Sequence, residues 1–368
     1  MKKLLKLTLI LALFGQACQP SKEKSKTLTS QLDSVFAASP DFSGVVLIAD
    51  KGQPVYHKGF GYTNFETKSK MDTASIFELA SVSKTFTGVM IGSLQEQGKL
   101  MYDDPIEKYI PGLPYPAITV RHLLNHTSGL PDYQKIMDEH WDKSKPAGNA
   151  DIIEYLKRYH PPKLFEPGEQ YTYSNTGYVL LGSIVEKVSG RDFVELCRER
   201  IFKPLKMTST DIRTIAEKAA LKNLALGHIY VPEKQRYVLA DSFPSSNYVF
   251  WLGNRKGPGR ISSTSTDLLK WDRALYTEGL VKKETLVEAF TPPKLRDDSL
   301  SNYGLGWELR THPLLGKVVW HSGDNPGYKT ALVRYIDVDK TVIVLSNTGP
   351  EKFFDRLAAV DRLLGIYK

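Results

Sequence analysis

Ser81 and Lys84, three residues apart, are the pair in this sequence best suited to nucleophilic chemistry. They stand in the string Glu78-Leu79-Ala80-Ser81-Val82-Ser83-Lys84-Thr85-Phe86, where a strand-like run gives way to a helical pattern. Spacing i, i+3 puts both side chains on one helix face, close enough for the amine to take the hydroxyl proton. A helix start also offers backbone N–H groups and positive potential where an oxyanion forms. The plainer reading of Ser81 is an N-cap, with an exposed lysine one turn on. The S-x-x-K spacing alone is unspecific, since Ser21-Lys22-Glu23-Lys24 repeats it in a polar stretch that carries no chemistry. For Lys84 to act as a base near pH 7, its amine must titrate about three units below the usual ~10.4, a difference of roughly 4 kcal/mol. Burial and a neighbouring positive potential supply such a shift, and apolar Leu79, Ala80, Val82 and Phe86 are compatible with burial.

Two further segments strengthen the pair. Tyr173-Ser174-Asn175 follows the turn Pro167-Gly168 and precedes an apolar helix, which holds its tyrosine and asparagine at the edge of a packed element. Tyr62-Thr63-Asn64 has the same Y-x-N spacing but follows a hairpin, far from any helix start. Trp320-His321-Ser322-Gly323 ends a strand-like run, and Asp324-Asn325-Pro326-Gly327-Tyr328 turns the chain back. The plainer reading of His321 is an edge-strand histidine with its hydrogen bonds met inside the fold. The sequence has no G-x-S-x-G, H-E-x-x-H, P-loop or paired C-x-x-C, which removes the main support for α/β-hydrolase, zincin, nucleotide-binding and zinc-ribbon readings.

The elements that must position these residues follow from periodicity. Leu28, Leu32, Val35 and Phe36 fall at helical spacing. Residues 44–49 and 55–60 read as a hairpin around Asp50-Lys51-Gly52. A helix is predicted over 81–98, and short helices over 120–125, 151–159, 176–188 and 193–202 alternate with Pro/Gly loops. Strands resume at 304–309, 318–320, 330–335 and 341–345, before a last helix over 351–364. Strands at both ends with helices between predict an α/β layer built from the two termini and a mainly helical insertion, with a cleft where they meet.

The chain has 368 residues, 41% hydrophobic and 11% aromatic, and a mean hydropathy of −0.29. That composition describes a folded globular protein rather than a disordered or multispan membrane one. The net charge is +8; without Lys2, Lys3 and Lys6, 46 Lys and Arg face 41 Asp and Glu, a net of +5. The charges are interspersed, so no nucleic-acid footprint is visible. Met1 to Lys6 is basic, residues 7–14 form a short apolar stretch, and Gly15-Gln16-Ala17 precedes Cys18. Eight apolar residues are too few to span a bilayer. The layout resembles a bacterial lipoprotein signal: a signal peptide over 1–17, lipidation at Cys18, and a polar tether over 18–27. The other cysteine, Cys197, then lacks an intrachain partner.

In order and spacing, Ser81 with Lys84, Tyr173 to Asn175 and His321 to Gly323 resemble the serine β-lactamase and penicillin-binding-protein superfamily, and most of all its class C β-lactamase-related family. Residues 118–131 (ITVRHLLNHTSGLP), Ser174-Asn175-Thr176-Gly177-Tyr178 and Tyr303-Gly304-Leu305-Gly306-Trp307 are similar to recurring segments of that family. The resemblance spans about residues 28–365. It implies a β-lactamase/transpeptidase-like α+β fold: an antiparallel sheet from about 28–80 and 260–368, flanked by helices, with a mainly helical subdomain over about 81–259. It makes Ser81 the acylated nucleophile, Lys84 and Tyr173 the base and proton shuttle, and Asn175 a ligand of the substrate amide or a brace for Lys84. Asp324 supplies an oxyanion-hole N–H beside that of Ser81, and His321, Ser322 and Gly323 line the substrate. His122, His126 and Ser128 take structural roles. His321 stands where β-lactamases carry lysine, as in many family members. It is mostly neutral at pH 7, which weakens recognition of a substrate carboxylate unless Arg255, Lys256 or Arg260 replaces the charge.

The resulting expectation is an exported, membrane-anchored serine hydrolase that forms an acyl-enzyme with small esters or amides, without cofactor, metal or nucleic acid. The alternatives are a D-alanyl-D-alanine carboxypeptidase or β-lactamase acting on cell-wall peptides or β-lactams, and a non-catalytic binding lipoprotein. Nothing in the sequence states the oligomeric state.

Overall fold

The computed structural model describes residues 27–37 and 41–366. The signal, Cys18 and nearly all of the tether lie outside the described residues. The chain opens with α1 (Leu28–Ala37), β1 (Gly44–Asp50) and β2 (Gln53–Phe60). The helices α2 (Ser83–Glu96), α3 (Asn175–Ser189) and α4 (Ser265–Ala274) follow, then β3 (Glu308–His312), β4 (Gly316–Asn325), β5 (Tyr328–Tyr335), β6 (Lys340–Ser346) and α5 (Phe353–Ile366).

These strands form one six-stranded sheet in the order β3-β4-β5-β6-β1-β2, antiparallel throughout. The termini meet at its centre, with Gly44 opposite Ser346 and Asp50 opposite Lys340. Strand alternation divides the apolar side chains between two faces. Val45, Leu47, Leu332, Ile343 and Leu345 join the core under α2 and α3. Val46, Ile48, Val333, Val342 and Val344 pack instead with Leu32 and Phe36 of α1 and Leu357 and Val360 of α5. The sheet is therefore the middle of three layers. Buried Asp272 of α4 ties its layer to the strands, accepting from Arg334 Nε at 2.7 Å and Thr341 Oγ1 at 2.9 Å.

The sheet built from both termini and the central helices agree with the sequence reading. The differences are local. β4 runs ten residues, not three, and carries His321 to Asn325 inside a strand. The region between α3 and α4 holds a hairpin, His228–Val231 with Arg236–Leu239, and a small sheet in which Ile261–Ser263 pairs with Phe77–Glu78 and Asp211–Ile212. Such two- and three-residue pairings leave too little periodicity to be read from sequence.

Candidate active site

Ser81 lies in a 3₁₀ turn, Ala80–Val82, that leads into α2. Neither this turn nor α2 has a side-chain N-cap hydrogen bond, so the capping role that the sequence allowed for Ser81 is absent. The turn is fixed from both sides: Leu79 N–H donates to Ile261 O at 2.9 Å, and Thr330 Oγ1 donates to Leu79 O at 2.8 Å. Ala80 holds φ at +48°, a left-handed conformation disfavoured for a residue with a Cβ. Gly323 of β4 runs directly beneath, where a Cβ would come within 2.2 Å of Leu79 O. Only glycine permits β4 to approach the Ser81 turn this closely.

Lys84, one turn into α2, is fully buried. Its Nζ lies 3.0 Å from Ser81 Oγ, 2.8 Å from Asn175 Oδ1 and 2.9 Å from Pro258 O. The Tyr173 and Tyr178 rings lie beside it, their centroids 4.8 and 5.4 Å from Nζ. Burial, with the nearby Arg255 guanidinium, holds the amine well below the usual lysine range, and Asp132 offsets only part of this. The two carbonyl oxygens can only accept, so they take the two N–H groups of a neutral amine. In the neutral form the lone pair then faces Ser81 Oγ and accepts its O–H, whereas a charged amine donates to all three oxygens.

Tyr173 is 38% exposed at the cleft, and its hydroxyl end faces the Ser81 side chain. Burial of that end, reinforced by Tyr178 and Glu308, holds the phenol well above its ordinary range, with the Ser81 hydroxyl offsetting only part of this. His126 supports it from behind: Ser174 N–H donates to His126 Nδ1 at 3.1 Å, and the rings lie 4.3 Å apart. His122 closes a capping box with Thr119, and Ser128 Oγ accepts from Leu130 N–H at 3.3 Å. All three side chains of the 118–131 segment are thus engaged within the fold. Asn175 opens α3, and its amide oxygen accepts from Lys84 Nζ at 2.8 Å.

His321 is buried, with both ring nitrogens occupied. Nδ1 lies 2.6 Å from Ser322 O, and Nε2 lies 2.8 Å from the Tyr303 hydroxyl. A carbonyl accepts only, so Nδ1 carries the proton and Nε2 accepts from Tyr303. Burial, with any charge on nearby Lys84 acting in the same direction, pushes the imidazole down to about 3, so it is neutral at pH 7. The sequence reading of a neutral histidine agrees with this, but no nitrogen is left to point at a ligand.

Ser322 N–H and Oγ both turn to the Glu308 carboxylate on β3, with Oγ at 3.5 Å. Successive N–H groups of a strand point to opposite edges, so Asp324 N–H points to the same edge as Ser322 N–H. β3 pairs with β4 only as far as Trp320, which leaves that edge open at Asp324, beside the Ser81 turn. Glu308 was not legible in the sequence. Its only signal was its place after Trp307, and that gives no hint that the strand pairing brings it to Ser322. It has no cation within ion-pairing distance among the described residues, and burial raises its carboxyl above the usual range. The cleft near Ser322 is therefore electronegative.

Of the three candidate replacement cations, Lys256 is consumed by Glu186 at 2.8 Å and by Asp192. Arg255 and Arg260 line cavities beside the loop that carries Pro258. Among the described residues, no group of three or more His, Cys, Asp or Glu side chains could hold a metal ion, and no helix is long and apolar enough to cross a membrane. Cys197 is buried and free.

The family model for Beta-lactamase matches residues 32–365. A penicillin-binding protein of Bacillus subtilis (strain 168) is 39% identical over 347 residues, 93% of this chain and 77% of the relative. Among solved structures, an octameric penicillin-binding protein homologue from Pyrococcus abyssi superposes with a TM-score of 0.77 at 30% identity, covering 92% of this chain and 77% of the other. The D-amino acid amidase of Ochrobactrum anthropi SV3 gives 0.74 at 26% identity, covering 92% and 99%.

Proposed function

Because the chain belongs to the beta-lactamase family of serine hydrolases, we propose that Ser81 is its nucleophile and Lys84 the general base of acyl transfer to small esters or amides. The observation that carries the reading is the buried Lys84 amine, with two pure acceptors on its N–H groups and Ser81 Oγ at the remaining position. Lys84 takes the hydroxyl proton as Ser81 Oγ bonds to the substrate carbonyl carbon. The oxyanion then accepts from Ser81 N–H and Asp324 N–H. Tyr173, held as a neutral phenol, relays the proton from Lys84 to the leaving oxygen or nitrogen, which departs as the carbonyl re-forms. Water repeats the sequence on the acyl-enzyme. Asn175 fixes the amine, while Gly323 and His321 hold the β4 edge at the right height.

The substrate class follows from the leaving-group side of the cleft. Recognition of a β-lactam or a D-alanyl peptide calls for a cation near the substrate carboxylate. Here a neutral, fully bonded imidazole and the Glu308 carboxylate stand there instead. The reading is therefore of esters or amides whose leaving group carries no carboxylate, in keeping with the likeness to a D-amino acid amidase. Steady-state kinetics with 4-nitrophenyl acetate and with benzylpenicillin test this. The ester should turn over readily and the penicillin slowly or not at all; efficient penicillin turnover with negligible esterase activity would promote the carboxypeptidase or β-lactamase alternative.

We further propose export and anchoring through a lipid on Cys18, supported by the charged, apolar and small-residue order of residues 1–18. Cys18→Ser should move the protein from the membrane fraction to the soluble exported fraction. A wild type that already fractionates as soluble contradicts the anchor.

A further inference from the structure

Three arginines converge behind the loop whose Pro258 carbonyl holds Lys84. Arg213, Arg255 and Arg260 line one cavity of about 410 Å³, and Arg255 and Arg260 also line a neighbouring one of about 210 Å³. Arg255 and Arg260 are only 8% and 5% exposed. Among the described residues none of the three makes an ion pair, although most arginines buried this deeply have a carboxylate partner. Their bonds are to neutral oxygens: Arg213 to Ser262 Oγ at 2.6 Å and Ser209 O at 3.2 Å, Arg260 to Val249 O at 3.3 Å and Arg213 O at 3.2 Å, and Arg255 to Leu252 O at 3.4 Å. Of the nearby carboxylates, Glu78 pairs with Lys218, Asp211 with Arg198 and Glu217 accepts from Thr214 N–H; Asp241 lines the smaller cavity with Arg255 and Arg260 without forming an ion pair with either among the described residues, and burial raises its carboxyl above the usual range.

We propose that Arg213, Arg255 and Arg260 form a binding site for a single oxyanionic group, a carboxylate or phosphate, separate from the Ser81 centre. Three guanidinium groups present up to fifteen N–H donors, of which the bonds above use five. Planar forks of this kind suit bidentate recognition of carboxylate and phosphate oxygens. Bringing like charges together in a low-dielectric pocket is unfavourable unless an anion joins them. Burial already holds the Arg213 and Arg260 guanidinium groups below their usual range, the direction that a bound anion reverses. The anion has two possible sources, a free oxyanion or an acidic substituent on the acyl part of a substrate. The smaller cavity reaches Asn325 and Pro326, next to Asp324, so the second source is within the geometry.

Isothermal titration of the full chain with inorganic phosphate tests the site independently of any hydrolysis. Saturable one-to-one binding is expected, weakened by at least about tenfold in Arg260→Gln and in Arg213→Gln, the factor carried by one lost charge-assisted hydrogen bond. Lys283→Gln should bind phosphate as the wild type does, because its side chain lines a different cavity that shares no residue with these two. Thermal melting identifies which variants are folded, and either arginine variant alone suffices. A second arm compares 4-nitrophenyl butyrate with the 4-nitrophenyl hemiester of succinate. A preference for the hemiester that is lost in Arg260→Gln assigns the site to the substrate; phosphate binding without that preference assigns it to a free oxyanion. No saturable phosphate binding together with no ester preference, or phosphate binding unchanged in both folded arginine variants, would overturn the proposal.

Discussion

Lys84 Nζ faces Ser81 Oγ at 3.0 Å, while Asn175 Oδ1 and Pro258 O fill its other two positions. A permanently charged ammonium in the same place would sit fully buried beside Arg255, with no carboxylate in hydrogen-bonding contact. The geometry therefore suits a neutral amine, and a neutral amine is what proton abstraction requires.

That relationship carries a signed pH dependence. Lys84 is held below its unfolded value, so in the alkaline-to-neutral window the unfolded chain binds a proton that the folded chain does not. Stability then rises with pH up to the unfolded lysine value near ~10.4, and this contribution is lost as pH falls toward the folded value. Lys84→Met should flatten this component of the melting temperature measured between pH 6 and pH 10. It should also lower kcat/KM by at least about a thousandfold, within the range of losses for catalytic groups. Ester hydrolysis by the wild type should rise with pH through the folded Lys84 value. A variant whose melting profile keeps the full wild-type slope would show that Lys84 is charged in the fold.

Glu308 controls the charge of the cleft near Ser322. Burial raises its carboxyl, so it protonates at a higher pH than an ordinary glutamate, and repulsion of a substrate carboxylate weakens as pH falls. Glu308→Gln removes that charge at every pH while keeping an acceptor for Ser322 N–H. Acylation by benzylpenicillin should increase by roughly tenfold at pH 7, equivalent to about 1.4 kcal/mol, with 4-nitrophenyl acetate hydrolysis changed far less. Equal effects on both substrates, read from stopped-flow acylation rates, would show that Glu308 acts on the strand and not on the ligand.

The sequence and the structure agree where periodicity or a helix start is strong. β1 reads as an unbroken apolar run because both of its faces are buried, and the Ser81-Lys84 spacing marks the start of α2. Other parts depend on contacts that no local pattern encodes. Pro258 contributes a backbone carbonyl, Glu308 reaches Ser322 only through the β3–β4 register, and Arg260 lies at φ +81°, a conformation that sequence alone suggests for glycine. His321 was legible as a neutral histidine. Its lack of a free nitrogen was not, since Tyr303 is eighteen residues away in sequence and meets it only across the fold.

The most direct test of Ser81 as the nucleophile, with Lys84 as its base, is covalent labelling by a fluorophosphonate followed by peptide mapping. At pH 7 the adduct should map to Ser81, disappear in Ser81→Ala while the melting temperature stays within about 2 °C, and form at least about a thousandfold more slowly in Lys84→Ala. An adduct on any other residue, or labelling of Lys84→Ala at the wild-type rate, would contradict the assignment.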